Sequence, residues 1–143
     1  MDFDSIGWTG AEGEYGDHPL LMRFREFEEA FPKGRYPVRL NILWQVEESD
    51  VNGWPTDTEF ERLSTFEDRL VEAVEPYNQS ILTVVLTYNS TKEFVFYSED
   101  EAMFLDRLTN MPQEVERYPI TIHKNLDPEW DYFESLRASV SEE

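Results

Sequence analysis

The chain has 143 residues, with 31 Asp or Glu against 12 Lys or Arg (a formal net charge of −19), no Cys, and aromatic residues at 15% of positions. So much aromatic surface sets it apart from a solvating disordered tail and predicts a single folded domain, and the missing Cys excludes a disulfide scaffold, a Cys-ligated zinc site and a thiol nucleophile. The charge repels phosphates and anionic head groups, so neither nucleic acid nor a membrane is an expected partner; with no spanning-length apolar run and no leader pattern in Met1–Ser5, the expected compartment is the cytoplasm.

Residues 1–17 scatter Gly7, Gly10, Gly13 and Gly16 among small, acidic and aromatic residues with no strand or helix period, and are read as an irregular N-terminal arm before one domain over 18–143. In His18–Phe27, Met22 and Phe24 alternate with Arg23 and Arg25, while Leu20, Phe24, Phe27 and Phe31 also fit a helix; the stretch is read as an edge strand. Val38, Leu40, Ile42, Trp44 and Val46 then alternate with Arg39, Asn41, Leu43 and Gln45, which predicts a long strand with one apolar face. Thr56-Asp57-Thr58-Glu59 is a capping box ahead of a helix whose Phe60, Leu63, Phe66, Leu70, Val71 and Val74 recur every three or four residues until Pro76.

Ile81–Tyr88 is almost continuously apolar or β-branched, as expected of a central strand covered on both faces. Asn89-Ser90 turns it back into a strand over Lys92–Tyr97, with Phe94 and Phe96 on one face and Val95 and Tyr97 on the other. A second capping box, Ser98-Glu99-Asp100-Glu101, opens a helix carrying Phe104, Leu105, Leu108 and Met111. Ile120 and Ile122 mark a last strand. Asp127-Pro128 predicts an N-cap with Pro at the first helical position, so that a terminal helix runs from Glu129 to about Ala138 and buries Trp130 and Phe133. From Tyr36 onward the order is βαββαβ with an extra C-terminal helix, which predicts an α+β ferredoxin-like sandwich: an antiparallel sheet with its two main helices on one face.

Five stretches, Tyr36-Pro37 leading into Leu40-Asn41-Ile42-Leu43-Trp44, Phe66–Leu70, Thr87-Tyr88-Asn89, Glu93–Tyr97 and Asp127–Tyr132, resemble the DUF695 family over most of the chain from about His18 to Tyr132. The resemblance implies a bacterial domain of unknown function. In longer chains that family sometimes accompanies a domain similar to an acidic ribonuclease inhibitor, which implies a regulatory binding role by analogy and supplies no catalytic residues.

The residues themselves offer no catalytic constellation and imply no cofactor. Phe94-Val95-Phe96-Tyr97 in a βαββαβ order has the look of an RNA-stacking strand, but the net charge and Glu93 oppose it. Asp50, Asn52, Asp57 and Glu59 lack the register of a calcium loop, so no metal site is expected. His18 and His123 are the chain's imidazoles, with no nucleophile elbow to serve. Trp54 lies in a loop beside Glu47, Glu48 and Asp50, either as an aromatic anchor ringed by acid or as a staple buried at the helix start. The leading functional expectation is a non-enzymatic module of the inhibitor or immunity type, binding a basic protein through Trp54, Glu47, Glu48 and Asp50. A dimer through an exposed edge strand is open. The alternative is a small hydrolase or isomerase using carboxylates in a pocket between the sheet and the terminal helix.

Overall fold

The computed structural model describes residues 3–15, 17–51, 54–112 and 118–139. Its elements are β1 (Trp8–Tyr15), β2 (His18–Arg25), β3 (Val38–Gln45), α1 (Asp57–Val74), β4 (Ser80–Tyr88), β5 (Thr91–Ser98), α2 (Glu101–Asn110), β6 (Ile120–Leu126) and α3 (Asp131–Ala138).

The alternation in β3 sorts its side chains as the sequence predicts. Leu40, Ile42 and Trp44 are fully buried with Phe94 and Phe96 of β5 and Leu82 and Val85 of β4, beneath Leu63, Phe66, Leu70 and Val74 of α1 and Phe104 of α2. Each such side chain contributes roughly 1.5–3 kcal/mol by leaving water. At the start of α1 the Thr56 hydroxyl accepts the Glu59 amide as a cap should. The other half of that capping box is used differently: the Glu59 carboxylate turns inward and accepts Trp44 Nε1 at 2.8 Å and the Glu47 amide at 3.2 Å, tying helix to strand. The second predicted box also shifts. Ser98 ends β5 and the cap of α2 is Asp100, which accepts the Met103 amide at 2.9 Å.

The opposite face of the sheet buries Met22 and Phe24 of β2, Ile81, Val84 and Leu86 of β4, and Val95 and Tyr97 of β5 under Phe3, Tyr36, Trp130 and Phe133. β4 alternates between both cores, and its pairing with β5 slips between Leu82 and Val84, so that Leu82 faces the first core while Val84 and Leu86 face the second. One extra residue reverses the facing of everything after it, while burial of both faces explains why the sequence of β4 reads as continuously apolar. Thr83, at the slip, donates its hydroxyl to the Val95 carbonyl. The β4–β5 connection has positive φ at both Asn89 and Ser90, the backbone that lets a two-residue hairpin follow the twist of its strands.

The six strands form one antiparallel sheet in the order β1-β2-β4-β5-β3-β6. With six strands in this order, the sheet departs from the ferredoxin-like βαββαβ sandwich with one added edge strand expected from the sequence, and α3 covers the face that α1 and α2 leave open. The expected irregular arm is corrected too: residues 8–15 are an edge strand paired along their length with β2, so β2 lies inside the sheet rather than at its edge. β1 escapes a period-2 reading because glycines and half-exposed residues stand where alternating apolar side chains would; a Cβ at Gly10 would stand 4.0 Å from the Met22 carbonyl. The terminal helix starts at Asp131, two residues later than expected, because Trp130 takes a left-handed backbone (φ 60°) and Pro128 falls in the preceding turn.

Candidate functional site

Two groups of polar residues stand out, one inside the molecule and one on its surface. The first lies between the sheet and α3. In β3, Arg39 and Asn41 point to the α3 side because Leu40 and Ile42 point to the other. Glu93 and Tyr97 of β5 share that side. Asn41 and Glu93 are 6% and 4% exposed, and Asp127, in the turn before α3, is 6% exposed. A buried carboxylate without partners would be strongly unfavourable, and both are well supplied. Glu93 accepts Tyr88 Oη at 2.9 Å, Tyr132 Oη at 2.6 Å and Asn41 Nδ2 at 2.8 Å. Asp127 accepts Tyr97 Oη at 2.6 Å and the amides of Asp131 and Tyr132 at 2.8 and 3.1 Å.

Arg39 joins the halves. Its Nε donates to Asn41 Oδ1 at 3.0 Å, its Nη1 donates to Asp127 Oδ2 at 3.3 Å, and its guanidinium lies over the Tyr132 ring at 4.5 Å. Beside the network Trp130 stacks on Tyr97 with ring centres 4.3 Å apart, while its indole N–H donates to the Tyr36 carbonyl at 2.9 Å.

The chemistry of the network follows from these bonds. Burial alone would raise the Asp127 pKa, but the Tyr97 hydroxyl, the two helix amides and the Arg39 charge together hold it below the usual carboxylate value. Burial and the neighbouring carboxylates push Tyr97 and Tyr132 the other way, well above an ordinary phenol. At neutral pH both tyrosines are therefore proton donors and neither is a base. The carboxylates accept hydrogen bonds from inside the fold, which fits a lock between sheet and helix. Sequence reasoning singled out Asp127 as the N-cap, a place that Trp130 takes instead while Asp127 accepts the first helix amides from the turn before it, and missed the rest. The available signal was a polar residue on an otherwise apolar strand: Asn41 between Leu40 and Ile42, and Glu93 ahead of Phe94.

The second group is the one expected from the sequence. Between β3 and α1 the described residues 46–51 and 54–56 are braced by hydrogen bonds. Ser49 and Pro55 form a bridge, Asp50 N–H donates to the Trp54 carbonyl, Thr56 N–H donates to the Glu48 carbonyl, and Val46 N–H donates to Ser90 in the β4–β5 turn. This brings the loop, that turn and the first turn of α1 to one end of the sheet. Trp54 is half-buried, and its backbone N–H donates to Asp50 Oδ1 at 3.1 Å. Glu48 accepts the Thr56 hydroxyl, and Glu47, 57% exposed at its side chain, pairs with Arg62 at 3.0 Å. Val51 stands fully in solvent and Phe60, on the first turn of α1, is 53% exposed. Phe60 was expected in the core; its ring instead lies outside, 5.4 Å from the Lys92 ammonium.

Other sequence candidates fall elsewhere. Phe94 and Phe96 are fully buried under α1 and α2, and Trp130 covers Tyr97, so these rings present no stacking platform. His123 lies exposed on β6 opposite Asn41, and His18 is exposed at the start of β2. Among the described residues no three His, Asp or Glu side chains are grouped to hold a metal ion, and no helix is long and apolar enough to cross a membrane. A cleft of about 310 Å³ between Ser5-Ile6-Gly7 and the 26–32 segment, and a groove of about 500 Å³ between α1 and α2, both lie away from the buried carboxylates.

Neither a curated protein nor a solved structure matches the chain. A family model does, over residues 7–136, and it takes in both polar groups; four of the five stretches that suggested the same family from sequence supply Tyr36, Asn41, Tyr88, Glu93, Tyr97, Asp127, Trp130 and Tyr132 to the lock between sheet and α3, and the fifth, Phe66–Leu70, lies in the opposite core. The chain thus belongs to DUF695, a family of unknown function.

Proposed function

We propose that the domain is a non-enzymatic binding module that meets a basic protein at the end formed by the 46–56 loop, the β4–β5 turn and the first turn of α1. The observation that carries this reading is the pair of exposed apolar side chains, Val51 and Phe60, set among the carboxylates Glu47, Glu48, Asp50 and Asp57 on a loop braced by its own hydrogen bonds. Apolar anchors supply affinity when desolvated, and surrounding charge steers the encounter. The alternative of a hydrolase or isomerase is disfavoured because Glu93 and Asp127, the buried carboxylates between sheet and α3, are occupied by tyrosine, amide and guanidinium donors of the fold itself.

The finer fold assignment goes with this reading. The run β4-β5-β3-β6, with α1 and α2 on one face, supports a ferredoxin-like unit extended by the β1–β2 hairpin and backed by α3.

The test is capture from a native lysate on the wild-type protein and on a Val51→Ser, Phe60→Ser double variant, eluted with rising salt and identified by mass spectrometry. A basic protein held by the wild type, released by salt and lost from the variant is the expected result. Equal recovery on both baits, or no specific partner, overturns the proposal.

A further inference from the structure

Among the described residues β6 is an outer edge of the sheet, and its backbone parity shows which groups face outward. Gln45 N–H donates to the Pro119 carbonyl and Asp127 N–H donates to the Pro37 carbonyl, so the residues bonding inward to β3 are 121, 123 and 125. The N–H and C=O groups of Ile122, Lys124 and Leu126 therefore point away from the sheet. Their side chains lie on the α1–α2 side, where Ile120 and Ile122 pack against the first core and Leu126 is 81% exposed. In a chain with 31 acidic residues β6 has none, whereas the other edge, β1, carries Glu12 and Glu14.

We propose that β6 pairs antiparallel with β6 of a second copy, about a two-fold axis at Lys124, to make one continuous sheet. An isologous contact requires a strand complementary to itself. This register places Ile122 opposite Leu126 of the second copy, and Leu126 opposite its Ile122, so the exposed leucine is covered by an apolar residue. It sets Lys124 opposite its own counterpart, each ammonium already held by Glu101 of its own α2 at 2.9 Å, so that four charges at the axis sum to zero. It also pairs outward-facing groups with outward-facing groups at all three positions. β6 is the edge at which two copies of charge −19 meet the least repulsion.

Sedimentation equilibrium from about 10 to about 500 μM tests this, since a contact this small is expected to be weak. The wild type is expected to rise toward twice the monomer mass, further at about 0.5 M than at about 0.15 M NaCl because salt screens the net repulsion. Lys124→Pro removes an outward N–H that β3 does not use, and is expected to hold the protein monomeric with its melting curve intact. Lys124→Ala combined with Glu101→Gln, which keeps the N–H and leaves the axis neutral, still dimerises. Glu12→Pro, at an outward position of β1, leaves the association unchanged, and Leu126→Glu abolishes it should Lys124→Pro fail to fold. A wild type monomeric throughout, or a dimer that survives Lys124→Pro or Leu126→Glu, overturns the proposal.

Discussion

Removing the Asp127 carboxylate should cost this protein more than any surface change, because one side chain serves two elements and a cation. In Asp127→Ala the buried Tyr97 hydroxyl loses its acceptor at 2.6 Å, an orphaned buried donor costing about 1–3 kcal/mol. The amides of Asp131 and Tyr132 at the start of α3 lose their acceptor as well, a capping loss of about 1 kcal/mol. Arg39 loses its carboxylate partner at 3.3 Å. We expect a destabilisation of about 3–4 kcal/mol, a large part of the roughly 5–15 kcal/mol that a domain usually has. Tyr97→Phe alone should cost about 1–2 kcal/mol, since it gives up the bond to Asp127 and the one accepted from the Phe133 amide. The double variant should be less damaged than the sum, by about 1–2 kcal/mol, because Asp127→Ala no longer strands a hydroxyl once Tyr97 is Phe. Urea unfolding of the four proteins, with midpoints compared at constant m, measures the cycle. A single Asp127→Ala cost below about 1 kcal/mol, or strict additivity, would refute the account of a shared lock.

Three further outcomes follow from the same structure. Because the folded Asp127 pKa lies below its unfolded value near about 3.9, its contribution is complete above that pH and is lost as pH falls through the folded value. The stability gap between wild type and Asp127→Ala should hold from about pH 7 to about pH 5 and narrow below about pH 4 in urea titrations; a gap that widens in acid contradicts the assignment. Phe60→Ser should change stability by no more than about 0.5 kcal/mol, since the ring is already outside, whereas Phe66→Ala, fully buried two turns on, should cost about 3–5 kcal/mol; thermal melts separate the two. Self-repulsion at a net charge of −19 means that moderate NaCl should raise the melting temperature, and a flat response would show that the acid is already locally compensated.

Most elements after residue 36 are legible in the sequence because each is a periodic pattern bounded by a specific stop. β3 alternates, α1 begins at Thr56 and ends ahead of Pro76, and Asn89-Ser90 closes a hairpin with both residues at positive φ. What escaped are features set by partners distant in sequence. β1 is a strand because β2 offers it a ladder, and its own residues carry no alternation to announce that. Glu59 has the spacing of a capping box, yet the buried indole of Trp44 claims its carboxylate from fifteen residues away. The buried network is written only as polar residues in apolar strands. Its closing members, Asp127 and Tyr132, come 34 and 39 residues after Glu93, and nothing local says that they return to it.

The dependence of α3 on the rest of the chain sets an order for folding. Trp130 holds a left-handed backbone, disfavoured for a bulky residue, because its ring is fully buried against Tyr97, Phe27 and Phe31 and its N–H rests on Tyr36. Glu134 pairs with Lys33 and Arg137 with Glu26, so the helix also pins the 26–36 segment to the sheet. These surfaces are supplied by β2, β5 and the 26–36 segment, so α3 is expected to dock after the sheet and to open before the α1–α2 core. In native-state hydrogen exchange the amides of α3 and of residues 26–36 would then share one opening free energy, lower than that of β3 and β5.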